Sequence, residues 1–481
     1  MKLKTRTGLV FLLAAPFLFS QTGRGPGDNS AILTNAAAGV FSSPVQLEFS
    51  LSQPGSLKIA VNGEEVYLGR GPYSLELPVV PGEAKNYVIG AEYYSPPPDP
   101  VLLESRLWNI RMDPKTIYAA SPEFSPKRTG APGGKDNPFS TLEEALDYAR
   151  ERNLGSIMIT GSLRLDKPLF VSQEILISGS PDGPGASIVF GSGAGISAGP
   201  FQEGAEKTAL KLADLTLERP AGDEALFSLM KGCALEISGT SILQAGPFLS
   251  MEEGSFCRIK DSRISVLDAA ERRRPVICSQ QGRLEILSSA VDLAGNYGLL
   301  MEIQGGSLSS ESCEFRVTAQ KTAAVFILNG TTAEIRNTAA SASAPDYASV
   351  MEASASELLV YRGTLEAEAR DSVGILLDKS EALFIGAGFT VKASFLARAA
   401  EVRGSFPRVT DCVFVYQGRA RRSEVFAGYG AEIPGEGTIG GSCFEGFSHI
   451  LGNAWAAENI AAFNRSFAPS DRPNAVVKPG S

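Results

Sequence analysis

The chain has 481 residues but only one histidine, His449, which lies near the end of the sequence. Serine is common, yet no Gly-x-Ser-x-Gly segment with a nearby histidine occurs, so a nucleophile elbow is excluded. A lone histidine is more often a structural residue than a catalytic one. We therefore interpret His449 as a structural residue.

Charge is also sparse: charged residues make up 20% of the chain, the net charge is −9 and the pI is near 5.1. An acidic protein is repelled by phosphate backbones and anionic lipids, so we expect no nucleic-acid partner. The basic run Arg272-Arg273-Arg274 is interpreted as a solvated loop rather than a polyanion site.

Long apolar runs are missing after the first twenty residues, so no membrane span is predicted. The first residues themselves have the pattern of a secretory signal, in which Lys2, Lys4 and Arg6 precede an apolar stretch from Leu9 to Phe19. No cysteine follows this stretch, which argues against a lipoprotein anchor. We predict a signal peptide over residues 1–20 and a secreted or periplasmic location.

What the chain does contain is a repeat, in which nine segments carry the same pattern at intervals of 22 to 30 residues. Each has an anchor residue, in most cases small and polar or glycine, and most have an aliphatic residue three positions earlier. The anchors are Thr240, Ser262, Ser289, Cys313, Thr338, Gly363, Gly388, Cys412 and Ser442. The aliphatic residues are Ile237, Ile259, Ile286, Ile335, Val360, Ile385, Val409 and Ile439, and the segment at Ser310 lacks one.

A second pattern precedes the first, in which alternating apolar residues end at a glycine. The examples are Phe227 and Leu229 before Gly232, Val276 and Cys278 before Gly282, and Val325 and Ile327 before Gly330. A unit this short cannot bury its own apolar face, so it must stack on copies of itself. Helical periodicity and a leucine-rich frame are both missing, and the repeat predicts an all-β, right-handed parallel β-helix.

The small anchors are explained by crowding, because only small side chains fit inside a sharp bend. Six cysteines in an exported chain suggest disulfides, but Cys313 and Cys412 occupy equivalent corners four coils apart, beyond bridging reach. We interpret the cysteines as free apolar fillers, with Cys257 and Cys278 as the pair most worth testing.

Residues 31–112 have short alternating strands and a hairpin that turns at Asn62-Gly63 within Lys58–Leu68. These features predict a small β-sandwich. With Pro44–Leu47, Tyr73–Leu75 and Ile89–Tyr93, the segment resembles the immunoglobulin-like module first named from chitobiase C-terminal domains. Glu64-Glu65 departs from that pattern, in which Ser or Thr and Pro follow the turn.

A helix is predicted over residues 140–153, with Ser140 and Glu143 as a capping box and four apolar residues on one face, namely Leu142, Ala145, Leu146 and Ala149. It would cover the open end of the first coil, and Trp455, Ile460 and Phe463 would form a matching cap. The segment from Ile117 through Gly133-Gly134 to Pro138-Phe139-Ser140-Thr141 is similar to the start of secreted β-helix proteins of the pectate-lyase-like superfamily. The predicted β-helix spans residues 113–465, and residues 466–481 are predicted as a tail.

That superfamily includes polysaccharide lyases, polygalacturonases, tailspikes and adhesins, so the resemblance implies a fold rather than an activity. The lyases hold calcium with clustered carboxylates, but Asp261, Asp268 and Asp292 lie at different offsets from their anchors and are not expected to converge. Arg258-Ile259-Lys260 matches a polygalacturonase motif without its His-Gly partner, and we interpret it as an inward Ile259 between solvated neighbours. Tyr361, Tyr416 and Tyr429 are the candidate groove aromatics.

No residue is therefore assigned a catalytic, metal-binding or cofactor-binding role, and no cofactor is expected. The favoured function is that of a non-catalytic envelope or exterior protein that binds a polysaccharide or a surface partner. The alternative is a polysaccharide lyase or glycoside hydrolase acting in a groove of the β-helix. A carboxylate cluster with Arg or Lys on one face of the coils would favour the alternative, and smooth faces would favour the first function.

Overall fold

The computed structural model describes residues 31–36, 39–41, 45–77, 85–97, 100–112, 116–121, 123, 132–135, 137–180, 185–199, 208–404, 406–420, 422–428, 438–451, 456–468 and 471–477. The predicted signal peptide, Tyr429 and Trp455 lie outside these residues. The chain forms two compact units, the first ending at Met112.

The first unit contains eight strands in two sheets. They are β1 (Ile32–Thr34), β2 (Gly39–Phe41), β3 (Val45–Leu51), β4 (Ser56–Val61), β5 (Glu64–Gly69), β6 (Tyr73–Leu77), β7 (Lys85–Tyr94) and β8 (Leu102–Met112). One sheet has the order β1-β3-β6 and the other β2-β8-β7-β4-β5.

The two sheets meet in an apolar core, where the ring of Phe49 packs edge-on against Trp108 at 5.9 Å between centroids. Asn62 and Gly63 have φ angles of 51° and 83°, which is the left-handed pair that a tight two-residue hairpin needs. The predicted β-sandwich and its hairpin are therefore confirmed.

In the residues that the structure describes, the second unit is a solenoid of 34 strands and two helices. The strands are β9 (Thr116–Ala120), β10 (Ser156–Thr160), β11 (Ser162–Leu165), β12 (Leu169–Val171), β13 (Ile175–Gly179), β14 (Ser187–Phe190), β15 (Ile196–Ala198), β16 (Ala209–Ala213), β17 (Thr216–Arg219), β18 (Phe227–Leu229), β19 (Ala234–Ser238), β20 (Ser241–Ala245), β21 (Leu249–Met251), β22 (Phe256–Lys260), β23 (Arg263–Asp268), β24 (Pro275–Gln280), β25 (Arg283–Leu287), β26 (Ala290–Gln304), β27 (Ser307–Glu311), β28 (Glu314–Asn329), β29 (Thr332–Arg336), β30 (Ala339–Ser343), β31 (Tyr347–Ser354), β32 (Glu357–Tyr361), β33 (Thr364–Asp378), β34 (Glu381–Ile385), β35 (Gly388–Arg403), β36 (Arg408–Thr410), β37 (Val413–Gly418), β38 (Arg422–Gly428), β39 (Ile439–Gly440), β40 (Cys443–Glu445), β41 (His449–Leu451) and β42 (Ala475–Val477).

These strands form two long sheets in which every pairing is parallel. Sheet A has 13 strands and sheet B has 21. Sheet B bends along its length, and four long strands, β26, β28, β33 and β35, run through the bend. We call the half of sheet B before the bend leg 1 and the half after it leg 2. The predicted right-handed parallel β-helix is confirmed.

The corner from sheet A into leg 1 is built from two consecutive residues. The first has a positive φ, for example 48° at Asp261 and 47° at Asn337, and the chain turns there. The second, the anchor, places its hydroxyl inside the coil, where Ser262 Oγ accepts from Thr240 N at 3.2 Å and donates to Lys260 O at 2.7 Å. Ser262 N donates in turn to Ser289 Oγ at 3.1 Å. The anchors thus form an internal hydroxyl ladder, which crowding alone did not predict.

One anchor was assigned one residue too late. Thr364 pairs with Gly388, so Ala387 rather than Gly388 occupies the corner, and the positive φ falls on Gly386. The inward residue of that coil is accordingly Phe384 rather than Ile385. The ladder has no hydroxyl at Gly363 or Ala387. A second ladder runs through the corner between leg 2 and sheet A, where Thr331 N donates to Ser356 Oγ and Ser356 N donates to Ser380 Oγ, both at 3.1 Å.

The inward residues of leg 2 were also partly misassigned. Phe227 and Leu229 face inward as predicted, but their equivalents are Ile277 and Ser279, and Phe326 and Leu328. The neighbours Val276 and Val325 are buried as well, because the strands are irregular just after the bend. The strict alternation assumed from sequence fails there.

Helix α1 (Leu142–Glu151) covers the first coil. The four predicted apolar residues are buried, but the cap lies one residue later than predicted, because the Thr141 side chain accepts from Glu144 N. Helix α2 (Ala456–Phe467) lies at the other end, where the Phe463 ring packs edge-on against Phe444 at 6.0 Å. Within the described residues, neither helix has the length and apolarity to span a bilayer.

Part of the predicted tail is structured, because β42 pairs in parallel with β40. Asn474, just before β42, ends the hydroxyl ladder: its Oδ1 accepts from Ser442 N at 3.0 Å. Its Nδ2 donates to Ile439 O and to Asn464 Oδ1 of α2, both at 3.0 Å.

The six cysteines are all free, and four of them are buried, namely Cys233, Cys257, Cys313 and Cys412. Cys257 and Cys278 do not pair, since they lie in sheet A and leg 2 respectively. Burial raises the pKa of the Cys412 thiol to about 11, which keeps it protonated and unreactive at neutral pH.

Candidate functional site

The outer surface of sheet B contains an open groove at the bend, with a volume of about 700 Å³. Its floor takes one small residue from each of five successive coils, Ala319, Ala344, Ala369, Ala393 and Gly418. A Cβ at Gly418 would collide with the carbonyl oxygen of Ala393, so the floor tolerates no larger residue there. The groove therefore runs along the solenoid axis. We call it the axial groove.

Polar side chains from leg 1 line the groove beside this floor. They include Ser343, Glu368, Lys392 and Gln417, which come from four consecutive coils. Lys392 is hydrogen bonded to Glu366, and this bond raises the pKa of its ammonium group. Donors and acceptors thus recur at the spacing of the coils, about 4.8 Å.

On leg 2 the outward face carries an ionic network. The Arg398 guanidinium lies 2.7 Å from Glu401 Oε2 and 3.6 Å from Glu424 Oε2, so it joins two coils. The remaining oxygens bind Arg403 at 2.7 Å and Arg422 at 2.6 Å. The side chains of Glu401 and Glu424 are only 7% exposed, although they lie on the outside of the sheet. We call these five residues the leg 2 network.

A third carboxylate extends this face toward earlier coils. Residues that lie in register on successive coils form a column, and Glu352 lies two coils from Glu401 in one such column. Glu352 Oε1 accepts from Ser349 Oγ at 2.6 Å. Arg273, from the loop between β23 and β24, reaches the same oxygen at 3.4 Å. Burial, followed by the charge of Glu352, raises the pKa of Tyr347 to about 12. The face is thus polar, charged and largely shielded from water.

The aspartates singled out from the sequence do not converge, as expected. Asp261 pairs with Lys260 at 3.6 Å, Asp268 with Arg274 at 2.9 Å and Asp292 with Arg263 at 3.2 Å. Within the described residues, no group of three or more His, Cys, Asp or Glu side chains is placed to hold a metal ion.

In Arg258-Ile259-Lys260 the isoleucine is buried and its neighbours face outward, as predicted. The arginine run is not simply solvated, which corrects its interpretation: Arg273 binds Glu352, and Arg274 binds the buried Asp268.

The predicted tyrosines do not share a groove. Tyr361 belongs to sheet A and contacts Arg336 and Arg362, whereas Tyr416 belongs to leg 1 and packs against Phe447. His449 Nδ1 is hydrogen bonded to Ser448 Oγ at 2.8 Å, and His449 is paired in register with Glu424.

Sequence reasoning missed the leg 2 network, although a signal was present. Glu302, Glu352 and Glu401 recur at intervals of 50 and 49 residues, which is two repeats. They fall in one column of leg 2, with Ile327 and Leu376 between them. A search for charge at twice the repeat length would have found them.

No family model matches the chain, and no curated protein matches it either. Among solved structures, the catalytic domain of a GH87 α-1,3-glucanase in complex with nigerose is similar, with 11% identity over 83% of this chain and 89% of that one and a TM-score of 0.33. Tailspike protein 3 of bacteriophage CBA120 is similar at 12% identity over 71% and 59% of the two chains, with a TM-score of 0.35. These similarities are too weak to transfer any activity. The assignment of this chain to the parallel β-helix fold rests on its own strand pairing.

Proposed function

We propose that this is an exported, non-catalytic β-helix protein that binds an extended polysaccharide, or a surface component that presents one, along the axial groove. The observation that carries the proposal is the ionic saturation of the leg 2 network on the same sheet as the open axial groove. Both oxygens of Glu401 and of Glu424 are held by guanidinium groups.

A repeating groove suits a repeating ligand. Four of the five coils add both a small floor residue and a polar residue from leg 1 at the same offset, so a polymer lying along the axis meets similar groups at these steps. Carboxylates and guanidinium groups fixed by ion pairs still offer lone pairs and N–H donors to sugar hydroxyls. The groove is open along its length, as a chain longer than the site requires.

The same network argues against hydrolysis at Glu401 and Glu424. A glycosidase needs one carboxyl group that holds a proton and another that is ionised and accessible. The oxygens of Glu401 and Glu424 lie against guanidinium groups and both side chains are only 7% exposed, so neither is placed as an accessible nucleophile or base. A carboxylate cluster with arginine is present, but its oxygens are already occupied.

Export and a surface location are supported by the basic and apolar pattern of residues 1–20. The sandwich unit, with its resemblance to immunoglobulin-like modules of bacterial surface proteins, is proposed to act as a spacer or a second attachment module.

A second candidate function, polysaccharide cleavage, is favoured by Glu352 alone. Within the described residues, Glu352 Oε1 makes a hydrogen bond and an ion pair, whereas Glu352 Oε2 makes neither. Tyr347 lies close enough for the charge of Glu352 to raise the tyrosine pKa. In this function Glu352 would be the carboxylate that exchanges a proton.

A glycan array on the purified protein tests binding, and lyase and reducing-sugar assays on the bound glycans test turnover. Ser343→Trp, which places an indole in the groove, should weaken binding at least tenfold, a loss of about 1.4 kcal/mol. Ser238→Trp, on the outer face of sheet A, is the matched control and should bind normally. Turnover that is abolished by Glu352→Gln would replace the binding function with the catalytic one.

A further inference from the structure

The outer face of sheet A is divided by charge, and this face takes no part in the groove. On β16, β19, β22 and β25 it carries the cations Lys211, Arg258, Lys260 and Arg283 against Glu236 and Glu285. On β27, β29, β32, β34 and β36 it carries Glu311, Glu334, Glu357 and Glu381 against Arg336 and Arg408. The earlier half therefore has an excess of positive charge and the later half an excess of negative charge.

The positive half presents an aromatic residue flanked by arginines. The guanidinium carbons of Arg258 and Arg283 lie 5.2 Å and 5.5 Å from the centroid of the half-buried Phe256 ring. Both arginines also bind Glu285, which fixes their orientation, while their side chains stay 42% and 66% exposed. We call Phe256, Arg258 and Arg283 the knob.

The negative half presents a recess of about 600 Å³. Leu359, Leu383 and Phe406 give it apolar walls, and Phe406 is held edge-on against Phe426 at 6.2 Å. Three carboxylates, Glu334, Glu357 and Glu381, and one cation, Arg408, line it as well. Leucines at outward positions of a sheet, framed by carboxylates, match an apolar group that carries positive charge.

The knob and the recess have the chemistry and the spacing of a self-complementary surface. Phe256 and Glu357 belong to one column and are four rungs apart, which is about 19 Å. The rung midway between them carries Ser307 and Ser309, whose small side chains allow two sheets to approach closely. A two-fold axis parallel to the strands at this rung reverses the order of the coils and places each knob over the other copy's recess.

We propose that two copies of this chain associate through the outer faces of sheet A, with the knob of each copy inserted in the recess of the other. Opposite charges steer the two faces together and fix their antiparallel order. This arrangement leaves the axial groove of each copy, which lies on sheet B, exposed to ligand.

Sedimentation equilibrium of the purified protein, over a range of protein and salt concentrations, tests the proposal. A dimer is expected whose dissociation constant rises with salt, because part of the attraction is between exposed charges. Replacing Glu357→Lys together with Glu381→Lys should raise that constant at least tenfold. Glu314→Lys, the same charge reversal on the outer face of leg 1, should leave it unchanged.

Mixing the two charge-reversal variants is the decisive experiment. The Arg258→Glu and Arg283→Glu double variant should also have an at least tenfold higher homodimer dissociation constant, but it should form a heterodimer with the Glu357→Lys and Glu381→Lys variant, because both contacts are then attractive again. If the arginine variant does not fold, Phe256→Ser replaces it and should raise the dissociation constant of the homodimer. A wild-type protein that is monomeric at all concentrations, or a dimer that the glutamate reversals do not weaken, would overturn the proposal.

Discussion

The inner and outer surfaces of the solenoid wall use polar side chains in different ways. Inside, the hydroxyls of Ser262, Ser289 and Thr338 accept amides from the preceding coil, and these residues are at most 6% exposed. Outside, a pair such as Arg316 with Glu314 is 57% and 54% exposed. In the leg 2 network, Glu401, Glu424 and Arg398 lie on the outer surface but are only 7%, 7% and 17% exposed. Access to water, rather than the side of the wall, should therefore decide what each group contributes to stability.

Thr338→Arg should have the largest effect, because it forces a charge into the inner ladder. Thr338 is 1% exposed, and its Oγ1 accepts from Cys313 N at 3.4 Å and donates to Arg336 O at 2.8 Å. We expect a loss of more than about 4 kcal/mol in the free energy of unfolding, or no folded protein. Urea unfolding measures it, and an unchanged midpoint would contradict the ladder.

Arg398→Met should come next, since it removes the cation shared by Glu401 and Glu424. Leaving two buried carboxylates next to one another should cost roughly 3 kcal/mol. Arg316→Met on the exposed pair is the matched control and should cost less than about 0.5 kcal/mol. Equal losses in the two variants would abolish the distinction between buried and exposed pairs on the outer surface.

Ser310→Val should have the opposite sign. Ser310 is fully buried at a position where neighbouring coils have Ile286 and Ile335, and its Oγ has no hydrogen-bond partner. Replacing an unsatisfied hydroxyl with an apolar side chain should raise stability by about 1 kcal/mol. A loss of stability in the same urea titration would show that the site cannot accept the added volume.

The smallest effect is a pH dependence at Glu285 on sheet A. Burial alone would raise the pKa of this carboxyl, but hydrogen bonds from Arg258 and Arg283 and their charges outweigh it and lower the pKa. A carboxyl group whose pKa is lower in the folded state than in the unfolded state stabilises the fold at pH values above its unfolded-state pKa. This contribution is lost as the pH falls through its folded-state pKa. We expect a loss below about 1 kcal/mol between about pH 5 and pH 3.

Replacing Arg258 and Arg283 with methionine should flatten that dependence in unfolding experiments across this pH range. The same acid-induced loss in the double variant would show that other carboxylates are responsible.

The parts of the fold that follow from local alternation were predictable. Ile237, Ile259 and Ile286 mark sheet A because a strand that lies against a core must repeat every two residues. The register of the coils was harder to predict than the strands. Gly388 is as small as an anchor residue, and only the positive φ of Gly386 shows that Ala387 occupies the corner. The alternation of inward and outward residues fails in leg 2 near the bend, so alternation did not identify the face that carries Glu352, Glu401 and Arg398, although Glu352 and Glu401 are two repeats apart. Predicting the knob and the recess would likewise require knowing which residues of successive sheet A strands lie in register.

Asn474 gives the rod a defined last turn. The side-chain oxygens of Ser262, Ser289, Thr338 and Ser442 each accept an amide from the preceding coil. Asn474 Oδ1 accepts in the same way from Ser442 N, but its Nδ2 donors go to Ile439 and Asn464. A duplicated repeat inserted upstream would lengthen the molecule and keep this stop, whereas one appended after Asn474 would find the Asn474 N–H already donated to Asn464 Oδ1. We therefore expect changes in the length of this protein to come from coils inserted upstream of Asn474 rather than from coils added after it.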